Sequence, residues 1–349
     1  MIGLALQGGG ARGSYQIGAY LALKKTHIKF DGVCGTSIGA FNGAMIASGK
    51  EKELLKFWTT ISIGEVLGFP KEFITKKINQ ERDWNYLKLS CKNFFEIIKS
   101  HGVPIEGLKQ ILKELVDKEA LINSKMDFGI CTIKLPNLKP LYIFKEEMAK
   151  EKVDDYILAS CYLPIFKMEK KIDEHYYLDG GFYDNTPVNM LIEKGYKKIY
   201  VVELNPLINR KRKLKKEIEI IKITPKRSLG GALIYDNKTL IENIKMGYYD
   251  ALKVVKKLDG YHYCFKRKKE GLYRFLTRKV NQKTLNKVMG FFHAKNEKET
   301  VIKALEYVMK REEIDYYQIY HPLKMLKKLQ KETNQKHFVY NFIKQLKIF

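Results

Sequence analysis

The first fifty residues repeat one pattern twice, and that pattern leaves few folds open. An apolar run, Ile2 to Leu6, breaks at Gly8-Gly9-Gly10-Ala11-Arg12-Gly13. A helix is predicted from about Ser14 to Lys25, with Ile17, Tyr20, Leu21 and Lys24 at helical spacing. A second apolar run, Phe30 to Cys34, breaks at Gly35-Thr36-Ser37-Ile38-Gly39, and a helix is predicted from about Ala40 to Ser48. This β-α-β-α order belongs to a parallel sheet covered by helices. Further strands are expected at Phe128 to Ile133, Leu141 to Phe144 and Ile199 to Glu203. Residues 51 to 125 read as mostly helical, either packed on the sheet or forming a wall over a site.

After about Gly260 the character changes. The last ninety residues read as helical, with apolar stripes at Val301, Leu305, Val308 and at Val339, Phe342, Ile343, Leu346. Two domains are therefore expected, 1–259 and a basic, mainly helical region 260–349. The chain carries a net charge of +25, and from Lys266 onward 21 basic residues face 8 acidic ones, a net +13. Such an excess suits an anionic partner or a solvated basic surface. The five cysteines, Cys34, Cys91, Cys131, Cys161 and Cys264, are widely spaced and contain no CxxC. Neither a disulfide framework nor a zinc site is expected, and a reducing compartment fits. The N-terminus lacks a basic start, and no apolar stretch is long enough to span a bilayer, so the expected location is cytoplasmic, with any membrane contact peripheral.

Gly35-Thr36-Ser37-Ile38-Gly39 is a G-x-S-x-G at a strand-to-helix turn. Such a turn strains the serine backbone, needs small neighbours and exposes the hydroxyl. Taken alone it is also compatible with a structural turn. The loop Gly8-Gly9-Gly10 offers consecutive backbone N–H groups near a helix start, able to bind an anion or an oxyanion. Its glycines are not spaced as in dinucleotide folds, and no P-loop lysine follows. A serine nucleophile needs a base. None of the seven histidines, His27, His101, His175, His262, His293, His321 and His337, lies in a glycine-framed turn, whereas Asp179-Gly180-Gly181 does.

Four segments together resemble the patatin-like phospholipases: Gly8-Gly9-Gly10-Ala11-Arg12-Gly13, then Gly35-Thr36-Ser37-Ile38-Gly39, then Ala159-Ser160-Cys161-Tyr162-Leu163-Pro164-Ile165-Phe166, then Asp179-Gly180-Gly181 with Asn185-Thr186-Pro187-Val188. The resemblance covers about residues 1 to 205, with a weaker echo at Ile223-Thr224-Pro225 and Gly247 to Leu252. It implies a three-layer α/β/α patatin-like fold with a mainly parallel central sheet, here followed by a helical C-terminal extension. It implies a serine lipid acyl hydrolase of phospholipase A or lysophospholipase type, with Ser37 as nucleophile and Asp179 as base. Gly8, Gly9 and Gly10 would form the oxyanion hole, and Arg12 would support that loop or meet a lipid phosphate. Gly35, Gly39, Gly180 and Gly181 would support the two motifs. No metal or cofactor is implied.

The expected partner is a lipid acyl ester. Peripheral contact with an anionic membrane is also expected, through Lys266, Arg267, Lys268, Lys269, Tyr273, Arg274, Phe275, Arg278 and Lys279. Leu and Phe residues between 51 and 125 are candidates for an acyl channel. Three other readings compete. An α/β-hydrolase esterase would need a histidine triad drawing on His262, His293, His321 or His337, but its serine turn normally follows several strands rather than one. A nucleic-acid-binding protein would use the charge, but no zinc-ligand spacing, helix-turn-helix or RNP-like motif is present. A catalytically silent lipid-binding member would not need both Ser37 and Asp179.

Overall fold

A computed structural model describes residues 1–66, 105–167, 172, 174–205, 214, 217–332 and 336–348. Much of the segment proposed as a wall or acyl channel lies outside the described residues. The chain forms two compact units, Met1–Tyr248 and Tyr249–Phe349. It passes from one to the other inside the helix Asn237–Val255, ahead of the change in composition after Gly260.

The first unit is built on a seven-stranded sheet. Its strands are β1 (Ile2–Leu6), β2 (Gly32–Thr36), β3 (Asp127–Lys134), β4 (Lys139–Phe144), β5 (Tyr177–Asp179), β6 (Lys198–Val202) and β7 (Glu219–Ile223). They run in the order β4-β3-β2-β1-β6-β7, with β5 also paired to β3. The pairs β1–β2, β1–β6, β2–β3 and β6–β7 are parallel, while β3–β4 and β3–β5 are antiparallel. The sheet is mainly parallel, as the resemblance implies.

Helices on both faces explain why the central strands are apolar without alternation. On one face lies helix α2 (Ile38–Ala47), which approaches so closely that a Cβ on Gly43 would stand 3.3 Å from Val33 and Phe128. On the other face Met190, Leu191 and Ile192 of the helix Val188–Glu193 pack against Ala5, Cys34, Ile199 and Val201. Neighbouring residues Val33 and Cys34 point to opposite helices, as strand geometry requires.

One edge of β3 is shared by two strands, the parallel β2 and the antiparallel β5. β2 covers β3 from Asp127 to Cys131, pairing Thr36 with Cys131. β5 takes over at the next residue, pairing Asp179 with Thr132. The ends of β2 and β5 therefore face each other across one step of β3.

The second unit is helical. Its helices Glu270–Thr277, Gln282–Phe292, Glu297–Arg311, Pro322–Glu332 and Phe338–Gln345 share one core with the short parallel pair β8 (Cys264–Phe265) and β9 (Ile319–Tyr320). Both sequence stripes are in that core: Val301, Leu305 and Val308, then Val339, Phe342, Ile343 and Leu346. One surface expectation is corrected. Tyr273, read as part of an exposed basic and aromatic run, is wholly buried in this core, because it falls on the inward face of Glu270–Thr277. Phe275 is half-buried beneath the guanidinium of Arg278, 3.6 Å from the ring centre. Among the described residues, no helix is long and apolar enough to cross a membrane.

Glu306 organises the start of this unit. Its Oε1 accepts the N–H groups of Tyr261, His262 and Tyr263 at 2.7, 2.8 and 2.9 Å. Burial raises its pKa, while these three donors pull it back down. Glu306→Ala leaves three donors without their acceptor and is expected to cost about 2–4 kcal/mol. Glu306→Gln, which keeps an acceptor, should cost less. Thermal unfolding followed by circular dichroism checks the order.

Candidate functional site

Ser37 stands between β2 and α2 with φ 55° and ψ −127°. A non-glycine residue held there stores roughly 1–3 kcal/mol of backbone strain. Its carbonyl accepts the N–H groups of Ala40 and Phe41 at 2.8 and 3.3 Å, and its own N–H donates to Ser160 Oγ at 2.9 Å. The flanking glycines are needed for close approach: a Cβ on Gly35 would lie 2.2 Å from the Gly39 carbonyl oxygen. On Gly39 a Cβ would lie 2.3 Å from the Leu6 carbonyl oxygen. The N-terminus of α2 follows directly, so its partial positive charge lies at the serine.

Asp179 ends β5 and is only 2% exposed. Oδ1 accepts the Gly181 N–H at 2.7 Å, and the Asp179 N–H donates to the Tyr162 carbonyl at 2.8 Å. Burial pushes its pKa up to about 6, against the opposing pulls of the Ser37 hydroxyl and the Gly181 N–H. The Ser37 hydroxyl is thus close enough to act on the carboxylate, although Oδ2 accepts no hydrogen bond of good geometry. The β2–β5 register brings these two residues together, with Cys161 beside both.

The glycine loop adjoins the same point. A Cβ on Gly8 would lie 3.2 Å from Ser37 Cβ. Gly8 is clamped by Asn185: its N–H donates to the Asn185 carbonyl at 3.0 Å, and Asn185 Nδ2 donates to the Gly8 carbonyl at 3.2 Å. The three glycines are therefore not equivalent, because the Gly8 amide is already engaged. Among the described residues, the Gly9 and Gly10 amides meet no acceptor, and both residues are half-exposed. Arg12 Nε donates to the Gly230 carbonyl at 2.8 Å, tying the loop to residues 229–232, where the Ala232 carbonyl accepts the Ala11 N–H at 2.7 Å.

Three residues beyond the expected set hold this arrangement. Asn185 joins the aspartate turn to the glycine loop. Asp184 is buried, accepts the Tyr142 hydroxyl and the Thr186 N–H, and offers its carbonyl to Thr36 Oγ1 at 2.7 Å. Ser160 joins the serine turn to β3. Ser160 and Asn185 lie in the segments that carry the family resemblance and Asp184 directly precedes Asn185, but their contacts are long-range and leave no local signal. The contacts made by Ser37 and Asp179 among the described residues include no histidine, and His262, His293, His321 and His337 belong to the second unit. No group of three or more His, Cys, Asp or Glu among the described residues suits a metal ion. The four described cysteines are free and buried.

The family model for patatin-like phospholipase matches residues 4–192. The chain belongs to the patatin-like phospholipase family. Among curated proteins, a lysophospholipase NTE1 of Meyerozyma guilliermondii is 29% identical over 217 residues, 60% of this chain and 13% of that protein. A lysophospholipase NTE1 of Cryptococcus neoformans var. neoformans is 28% identical over 212 residues, 58% of this chain and 11% of that protein. The chain thus spans only a small part of the length of these relatives. Among solved structures, VipD from Legionella pneumophila aligns at a TM-score of 0.45 and 13% identity, covering 98% of this chain and 83% of that one. That likeness is too loose to carry a functional comparison.

Gly180 sits at the junction of the two patatin-like turns. A Cβ there would lie 2.2 Å from the Cys131 carbonyl oxygen and 3.0 Å from Thr36 Cγ2. Gly180→Ala is therefore expected to cost roughly 1–3 kcal/mol through overpacking. Gly181→Ala would meet only side-chain oxygens at 2.9 and 3.0 Å and should cost less. Thermal melts of the two variants test the difference.

Proposed function

We propose that this patatin-like protein is a serine lipid acyl hydrolase working through a Ser37–Asp179 dyad. The observation that carries the reading is the meeting of β2 and β5 at adjacent residues of β3, which sets a strained serine beside a buried carboxylate. Asp179 accepts the hydroxyl proton as Ser37 Oγ attacks the acyl carbonyl carbon. The developing oxyanion is held by the N–H groups of Gly9 and Gly10, which are unengaged, rather than by that of Gly8. The tetrahedral intermediate collapses, and Asp179 returns the proton to the departing alcohol. Water then attacks the acyl-serine, giving its proton to Asp179, and this second tetrahedral intermediate collapses with release of the fatty acid as Asp179 returns the proton to Ser37 Oγ. Arg12 holds the glycine loop through the Gly230 carbonyl. The relatives are named lysophospholipases, so a single-chain glycerophospholipid is the first substrate to try.

The base must be ionised to act, so activity is lost as pH falls through the pKa of Asp179. The acid limb of kcat/KM is expected near pH 6, well above the limb of an ordinary aspartate. Asp179→Asn should lower kcat roughly 10²–10⁴-fold with the fold retained. Fatty-acid release from lysophospholipid, measured across pH, checks both. Full activity in Asp179→Asn would remove the dyad.

Peripheral membrane contact belongs to the same proposal. It is supported by the basic second unit, where Arg274, Arg278 and Lys279 are exposed. Each basic residue near an anionic surface contributes about 1 kcal/mol, and salt weakens the attraction. Sedimentation with phosphatidylglycerol vesicles should exceed that with phosphatidylcholine vesicles and fall as salt rises. Equal binding to both contradicts it.

A further inference from the structure

Ser160 has no part in the chemistry above, yet it touches the nucleophile's backbone. The turn at Ser37 directs its N–H away from the β2 ladder and from the α2 hydrogen bonds. The acceptor it finds is a side chain, Ser160 Oγ, at 2.9 Å. Ser160 is fully buried, and its hydroxyl proton is donated to the Cys131 carbonyl at 2.7 Å. With its proton so committed, the oxygen presents a lone pair to Ser37 and is not itself free as a nucleophile. Cys131 is the residue that pairs with Thr36. Two residues after Ser160, the Tyr162 carbonyl accepts the N–H of Asp179 at 2.8 Å. Thr132 Oγ1 braces the same turn, lying 2.9 Å from the Ala159 carbonyl oxygen and 3.0 Å from that of Leu178. One short turn, Ala159–Tyr162, therefore holds the main chain of both dyad residues.

We propose that Ser160 is a positioning residue: by accepting the Ser37 N–H it fixes the strained turn so that the Ser37 hydroxyl stays on the Asp179 carboxylate. The inference rests on the dyad reading above. Removing the Ser160 oxygen frees the Ser37 backbone to relax from φ 55°, which swings the hydroxyl off its base. The space left is small, and substrate contacts elsewhere are untouched.

The test measures kcat, KM and the pH profile of lysophospholipid hydrolysis in Ser160→Ala, Ser160→Cys and Asp179→Asn beside the wild type. Ser160→Ala is expected to lower kcat about 10–100-fold, as a misplaced nucleophile does, with KM little changed. Its acid limb should move to higher pH, because the Ser37 hydroxyl no longer favours the ionised carboxylate. A general loss of structure would not move that limb. Ser160→Cys fills the same space with a poor acceptor and should fall between, which keeps the test open if Ser160→Ala does not fold. If folded Ser160→Ala or Ser160→Cys keeps the wild-type kcat and acid limb while Asp179→Asn is inactive, the dyad stands and the positioning role is overturned. If Asp179→Asn keeps full activity, the dyad reading fails and the proposal with it.

Discussion

The site depends on a single change of partner along β3. At Cys131 its neighbour is the last residue of β2; at Thr132 its neighbour is the last residue of β5. Sheet register is strict, since a slip of one residue turns every side chain to the other face. The same constraint that builds the core therefore sets the spacing between Ser37 and Asp179.

Hydrogen bonds join the turns to one another. Asn185 clamps Gly8, Asp184 receives Thr36, and Ser160 receives Ser37. Beneath the glycine loop runs a second chain of buried polar groups. Trp58 Nε1 donates to Asn42 Oδ1 at 3.0 Å, Asn42 Nδ2 donates to Gln16 Oε1 at 2.8 Å, and Gln16 Nε2 donates to the Gln7 carbonyl at 2.7 Å. Gln7 Oε1 in turn accepts the N–H groups of Leu204 and Asn205. Buried polar groups are costly unless paired, and paired they fix one arrangement. The strain at Ser37 is held by this surrounding order.

Much of this was legible in the sequence, for a physical reason. Ile2–Leu6 and the helix Ser14–Lys25 have local patterns, and the structure has both at those bounds. The second strand is bounded at Gly32, later than its apolar run, although the Asp31 N–H already donates to the Ile2 carbonyl at 2.9 Å while its side chain accepts the Ile2 N–H. Helix α2 starts earlier, at Ile38, because Ser37 is its N-cap. The strand Tyr177–Asp179 was not legible: three residues give no periodicity, and its place is set by β3. Likewise the inequality of Gly8 and its two neighbours depends on Asn185, far along the chain. Tyr273 shows the limit from the other side, since its basic neighbours suggested a surface while the helix turned it inward.

The dyad reading stands or falls on whether Ser37 is a nucleophile that Asp179 activates. The most direct measurement is covalent trapping with a fluorophosphonate, followed by peptide mass spectrometry of the adduct. The account predicts one adduct per chain, located on Ser37, lost in Ser37→Ala and strongly slowed in Asp179→Asn. An adduct on any other residue, or labelling of Ser37 at an unchanged rate without the Asp179 carboxylate, would contradict it.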